Sequence, residues 1–281
     1  MQLLSYWSDA GEVEAVAEEI FSSLKQQTQL KDEAANCERF GELCKNVDGL
    51  CVPEVYEVIS NDFVIFEYLE GKSVAEMGNV SEEIRRSWCK TFIKSFIVTA
   101  LVEGEVHGDM HAGNFLFNDA SGGVGLLDFG VVYSASIEEK QRVQNTIDSL
   151  IEKTEGEIEL VDWISEICVD GFLIPQQTIN SLDESVRIEL KERVSVLLRG
   201  LFDNNSCGAL FDPEALWKEV RSTQGCGELQ LNPYGIKLWH ALTSGVGVLL
   251  TLCDGDYAKI REVITEATKE IFKLDLLNNS S

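Results

Sequence analysis

The sequence predicts an α+β fold in which a small mixed part precedes a much larger, almost entirely helical part. Three observations carry this. Two apolar, β-branched and aromatic runs, "CVPEVYEVIS" and "DFVIFEYLEG", flank Ser60-Asn61-Asp62 and read as a β-hairpin. A second pair of short strands, "FLF" and "VGLLD", surrounds the turn "DASGG". From about residue 136 to 272 the pattern is helical throughout, broken at Gly156, Gly171–Pro175, Asn204–Gly208 and Gly225–Pro233.

In chain order, residues 12–40 open with Val13, Val16, Ala17, Ile20, Phe21 and Leu24. These recur at the i, i+3, i+4, i+7 spacing of an amphipathic helix, and Asp9 is a suitable N-cap. The hairpin follows, its second strand closed by Gly71. Residues 81–103 form the next helix, capped by Ser81, with Glu82 and Glu83 placed to meet the helix dipole. The run "LWHALTSGVGVLLTLC" (238–253) is apolar, but His240, small or polar breaks and its length make it a buried helix rather than a membrane span. Internal repeats, low-complexity tracts and a clear linker are all missing from the sequence.

Charge narrows the function classes. The 281 residues include 48 acidic and 23 basic side chains, a formal net charge of -25. Nucleic-acid phosphates and anionic lipid would be repelled as non-specific partners. The acid is spread along the chain and reads first as a soluble surface. Eight cysteines are dispersed without a CxxC pair, so neither a zinc spacing nor a compact disulfide framework emerges. Reduced thiols in an intracellular compartment are expected. The first twenty residues turn acidic early and lack a basic flank, which reads as neither a secretory signal nor a transit peptide.

The densest chemistry is "HGDMHAGNFLF" (107–117), followed by "LLDFG". Phosphoryl transfer needs a carboxylate beside the attacking hydroxyl, ligands for the magnesium that offsets phosphate charge, and a device that holds the nucleotide. Asp109 and Asn114 lie five residues apart, and Asp128 follows Asn114 by fourteen. One tight loop can turn Asp109 to an acceptor and the Asn114 amide oxygen to a metal. Asp128 adds a hard oxygen of the kind magnesium takes. Gly113 keeps the first loop tight, and Gly130 is expected to permit a sharp exit from the second. Either motif alone is weak; ordered and spaced on a strand–turn–strand, the two are specific. His107 reads as a core histidine bonded to backbone. A zinc pair with His111 is the alternative, though no third-ligand pattern such as HExxH accompanies it.

This stretch resembles the HxDxHxGN catalytic loop of the ABC1 (UbiB-like, ADCK-type) family of atypical, coenzyme Q-linked kinases. Aminoglycoside and choline phosphotransferases share a similar pattern. Three further stretches resemble ABC1 segments: "LKDEAANCERF" (30–40) its EAxN helix, "VPEVYEVISNDFVIFEYLEGKSV" (52–74) its strand pair and hinge, and "LNPYGIKLWHALTSGVGVLLTLCDGDYAKI" (231–260) its closing helices. The resemblance runs from about residue 12 to 272. It implies a protein-kinase-like fold with a reduced N-lobe (1–72) and a predominantly helical C-lobe (73–281). Asp109 matches the catalytic aspartate, and Asn114 and Asp128 match the metal ligands. Glu33 matches the helix glutamate that pairs with a phosphate-binding lysine, with a solvated helix charge as the alternative. Glu67 to Leu69 match the hinge whose backbone holds adenine, and for Glu67 the alternative is an ordinary strand residue.

The sequence also departs from the family. No KxGQ motif and no glycine- or alanine-rich phosphate loop occurs ahead of the hairpin. Lys25 and Lys31 are the only lysines upstream of Glu33, and both read as part of its helix. Loss of one preorganised cation costs several kcal/mol of transition-state stabilisation. Nothing like "APE" follows the DFG, which argues against a peptide substrate.

The expected function is an ABC1-type atypical kinase or ATPase homologue binding ATP and magnesium, with weakened or lost catalysis, linked to quinone or lipid metabolism. Its acceptor would be a small molecule or lipid-linked group, and nucleic acid is not expected as a partner. The rival readings are a pseudokinase binding module that docks a protein partner through its helical lobe, and an aminoglycoside- or choline-type phosphotransferase. The resemblance further implies peripheral membrane association and a mitochondrial or plastid compartment.

Overall fold

The computed structural model describes residues 29–61, 63–153, 157–203, 222, 232–273 and 275–277. Helix α1 (Leu30–Leu43) buries Ala34, Cys37 and Phe40, one apolar stripe at a spacing of three. Residues 12–28 of the expected helix, with the Asp9 cap, lie outside the described residues. Strand β1 (Leu50–Cys51) precedes the expected hairpin, β2 (Val55–Ser60) and β3 (Phe63–Phe66), which pairs antiparallel with Ser60 opposite Phe63.

Helix α2 (Glu82–Phe96) starts where its cap predicts, with Ser81 Oγ accepting from the Ile84 N–H at 3.4 Å. It continues as a π-helical turn over Ile97–Val102. Strands β4 (Glu105–His107), β5 (Phe115–Phe117), β6 (Val124–Leu126) and β7 (Val132–Ser134) follow. The predicted strand–turn–strand is β5–β6, antiparallel, with β1 added parallel to β6. The β4–β7 pair, which brackets the motif, is not expected from the sequence. Three-residue strands are too short to display period-two alternation, and their pairing is non-local.

The helical part comprises α3 (Ile137–Lys153), α4 (Leu160–Glu166), α5 (Gln176–Ser181), α6 (Glu184–Asp203), α7 (Pro233–Leu252) and α8 (Tyr257–Phe272). It is not wholly helical: β8 (Glu157–Glu159) pairs parallel with β9 (Asp275–Leu277). Gly171 does not break a helix either. It is buried within a π-helical run, Ile167–Leu173, where a Cβ would meet Ile167 at 3.5 Å and Val143 at 3.7 Å. The chain leaves that run at Ile174 and Pro175.

Two packing relations position the motif. On α2, Trp88 and Phe92 reach the rings of Phe117 at 5.2 Å and Phe115 at 4.8 Å, so the helix forms the back wall of β5. Helix α7 is the one described helix long and apolar enough to cross a membrane. Here Leu238, Ala241, Val248 and Leu252 are buried in the core. The six described cysteines are free thiols, Cys89 and Cys253 lying 3.5 Å apart.

The cap of α8 supplies a simple test. Asp256 Oδ1 accepts from the N–H groups of Ala258 at 2.9 Å and Lys259 at 3.2 Å. Asp256→Ala should cost about 1 kcal/mol, and Asp256→Asn much less, by denaturant titration. Equal losses for the two variants would assign the effect to charge instead of the cap.

Candidate active site

The first loop hangs from β4. Gly108 N–H donates to Val131 O at 2.8 Å, so the loop starts tied to the segment that ends the second one. His107 is 2% exposed. Its Nδ1 accepts from the Asp109 N–H at 3.3 Å, which makes Nε2 the protonated nitrogen, donating to Leu127 O at 3.1 Å. Burial lowers its pKa from the ordinary 6.5, a shift the Leu127 carbonyl opposes. His107 is therefore a neutral scaffold that fixes both loops.

Asn114 has a more pointed role. Its Nδ2 donates to Asp109 O at 2.8 Å, and its own carbonyl accepts from Leu127 N–H at 2.9 Å. The amide nitrogen is thus committed inward, leaving Oδ1 as the end available to a ligand. Between these residues, a Cβ on Gly113 would stand 2.7 Å from His111 Cε1, so a side chain there would displace the His111 ring. His111 Nδ1 accepts from the Gly113 N–H at 2.9 Å, and its Nε2 is 3.4 Å from Asp109 Oδ2.

In the second loop the sharp turn falls on Asp128, with φ +58°, and not on Gly130. Aspartate tolerates the left-handed region because its short side chain bonds locally. Here Oδ1 accepts from the Gly130 N–H at 3.1 Å. Such conformations cost about 1–3 kcal/mol and collect at functional sites.

Helix α1 closes one side. Glu33 is half-buried and faces this loop, not solvent. Burial, and next the Asp128 charge, raise its pKa, while the Phe129 N–H works against the rise. Asn36, one turn on, donates Nδ2 to Phe129 O at 2.9 Å. Phe129 sits 5.3 Å from the Phe40 ring and 5.4 Å from His107. Asn36 and Phe40 were not singled out from the sequence, although Asn36 lies within the quoted EAAN segment, at i+3 from Glu33 on the same helix face.

The residues proposed for adenine lie on the segment after β3. Glu67 N–H donates to Glu54 O at 2.8 Å, and its Oε2 accepts from Glu54 N–H at 3.1 Å. Its side chain therefore braces the hairpin. Leu69 passes over β6, where a Cβ on Gly125 would lie 3.1 Å from Leu69 Cδ1. Among the described residues the Leu69 N–H has no backbone partner.

His107 also offers a pH test. The unfolded chain takes up a proton near pH 6.5 while folded His107 stays neutral. The stability it supports is whole above that pH and is lost as pH falls toward the lowered folded value. Denaturant midpoints should drop from about pH 7 to about pH 5 more steeply in the wild type than in His107→Gln. Parallel slopes would remove His107 as the cause.

A loop carrying Asp109 and Asn114, joined through Leu127 to a loop carrying Asp128, on a strand–turn–strand backed by helices, defines a kinase-like domain. The ABC1 atypical kinase-like domain matches residues 1–161, and the chain belongs to that family. No curated protein matches. Among solved structures, that of Rv3197 from Mycobacterium tuberculosis in complex with erythromycin aligns at 19% identity and a TM-score of 0.49. The alignment covers 96% of this chain and 64% of the other, so the chain spans under two thirds of that neighbour's length.

Proposed function

We propose that this ABC1-family chain binds Mg-ATP at the Asp109–Asn114–Asp128 site, with weak or absent turnover. The observation that carries the reading is the double commitment of Asn114. Its Nδ2 is tied to Asp109 O and its main-chain carbonyl to the N–H of Leu127, the residue before Asp128, which supports reading the remaining Oδ1 as a ligand beside Asp128. Among the described residues, no lysine or arginine pairs with Glu33, Asp109 or Asp128. Uncompensated carboxylates and an amide oxygen are the hard donor set that fits magnesium. When bound, the ion supplies neutralisation of phosphate charge.

The chain's own residues supply the rest. Asp109 would take the proton of an attacking hydroxyl, steadied by its main-chain ties and by His111. The Glu67–Leu69 segment would hold adenine through its main chain, between a reduced N-lobe (1–72) and the helical C-lobe (73–281). β7 ends at Ser134 and α3 starts at Ile137, leaving little room for a peptide platform, which supports a small or lipid-linked acceptor; a link to quinone metabolism rests on family membership alone. Turnover is expected to be weak because no described cation pairs with Glu33.

Calorimetric titration with ATP tests this. Binding that requires Mg²⁺ is expected. A folded chain that gives the same heat with and without the ion would overturn the metal assignment, and one that gives no heat at all would overturn the nucleotide reading.

A further inference from the structure

The helical part holds a partly open cavity of about 180 Å³ between α2, the α4 segment, α6, α7 and α8. Its wall includes Phe92, Met110, Trp163, Trp239, Val246 and Thr268, and among the described residues no charged side chain lines it. Apolar cavities stay dry, and an engineered one of about 150 Å³ takes up benzene or xenon. This cavity is of that size and chemistry. A closely packed interior would not leave such a volume unfilled, because each atom on the wall forgoes its dispersion partners.

The wall offers an occupant almost no polar surface. Trp163, 3% exposed, and Thr268, 1% exposed, line it, but Trp163 Nε1, Trp239 Nε1 and Thr268 Oγ1 are covered by neighbouring atoms. Such a surface suits an uncharged apolar occupant and excludes an ion.

We infer that this cavity is a binding site for a small uncharged aromatic or alkyl group. The inference is independent of nucleotide binding. The site's position gives it a consequence for the loops. Met110, in the cavity wall, directly follows Asp109, and Phe92, also in the wall, stacks on Phe115, which directly follows Asn114. An occupant therefore touches Met110, the chain neighbour of Asp109, and Phe92, which packs on the chain neighbour of Asn114.

The test uses bromobenzene as probe, because its heavy atom quenches nearby tryptophan fluorescence and Trp163 and Trp239 both line the cavity. The wild-type chain should show saturable quenching. Filling the space with Val246→Phe or, separately, Ile164→Phe should weaken it at least roughly tenfold, the scale on which pockets discriminate methylene-sized changes. Benzenesulfonate, of similar shape but charged, should not compete. Ethylbenzene should raise the wild-type melting temperature, a readout that does not depend on either variant folding. Quenching that is linear in the wild type, or unchanged in a folded filled variant, would overturn the inference. So would competition by benzenesulfonate or an absent thermal shift.

Discussion

Asp128→Asn is expected to weaken Mg²⁺-dependent ATP binding on the order of a hundredfold, about 2.7 kcal/mol. The substitution is chosen so that little else changes. Asparagine also tolerates the left-handed backbone that Asp128 adopts at φ +58°. Its Oδ1 can still accept from the Gly130 N–H. What disappears is one negative charge at the proposed metal site. Asp128 is also one of the causes raising the Glu33 pKa, so its removal relieves a like-charge contact. The metal-free variant should therefore melt no lower than the wild type, a separation of function from stability common at strained sites. Titration calorimetry and a thermal scan on the same samples decide the matter. Equal Mg²⁺ dependence in both proteins would remove Asp128 from the metal position; a large drop in melting temperature would make any binding loss uninterpretable as chemistry and sink the claim of an intact fold.

Phe129→Ala is expected to cost about 3–5 kcal/mol, as for other large aromatic truncations in a core. Phe129 is 1% exposed and lies between Phe40 of α1 and His107 at the end of β4. Removing the ring opens a hole where three separate segments meet, and those segments cannot close it without moving α1. Phe129→Leu should recover much of the loss, because shape and volume are partly restored. Urea midpoints at one pH give both values. A loss under about 1 kcal/mol for the alanine variant would mean that α1 is not anchored through this ring.

The parts legible in the sequence were those with a local signal. Ser81 and two glutamates marked the start of α2, and the Val, Ile and Phe runs marked the hairpin. The turn "DASGG" marked β5 and β6. The strands missed, β1, β4, β7, β8 and β9, are two or three residues long and pair with distant partners. Gly171 was misread because glycine serves close packing as readily as helix breaking. At the site, residue types and spacing pointed to Asp109, Asn114 and Asp128, but the bend assigned to Gly130 belongs to Asp128. Composition could not reveal that an aspartate holds the left-handed conformation by bonding to its own loop. Nor could spacing show that Asn36 and Phe40 reach Phe129, since those contacts exist only once α1 is docked.

The short β4–β7 ladder brings His107 opposite Val132. Everything between those two residues, including Asp109, Asn114 and Asp128, is thereby gathered into one closed excursion whose two ends meet. Inside it, β5 and β6 form a second ladder, so the excursion is buttoned twice. Its outermost turn, at Asp119 to Gly122, is solvent-facing at Asp119, Ala120 and Ser121. A chain opened at that tip would have new ends there and still keep both halves of the site in register through the two ladders. In topological terms the segment is a self-fastened cassette, and the tip of its turn is a natural position for relocating the termini or for receiving an inserted sequence.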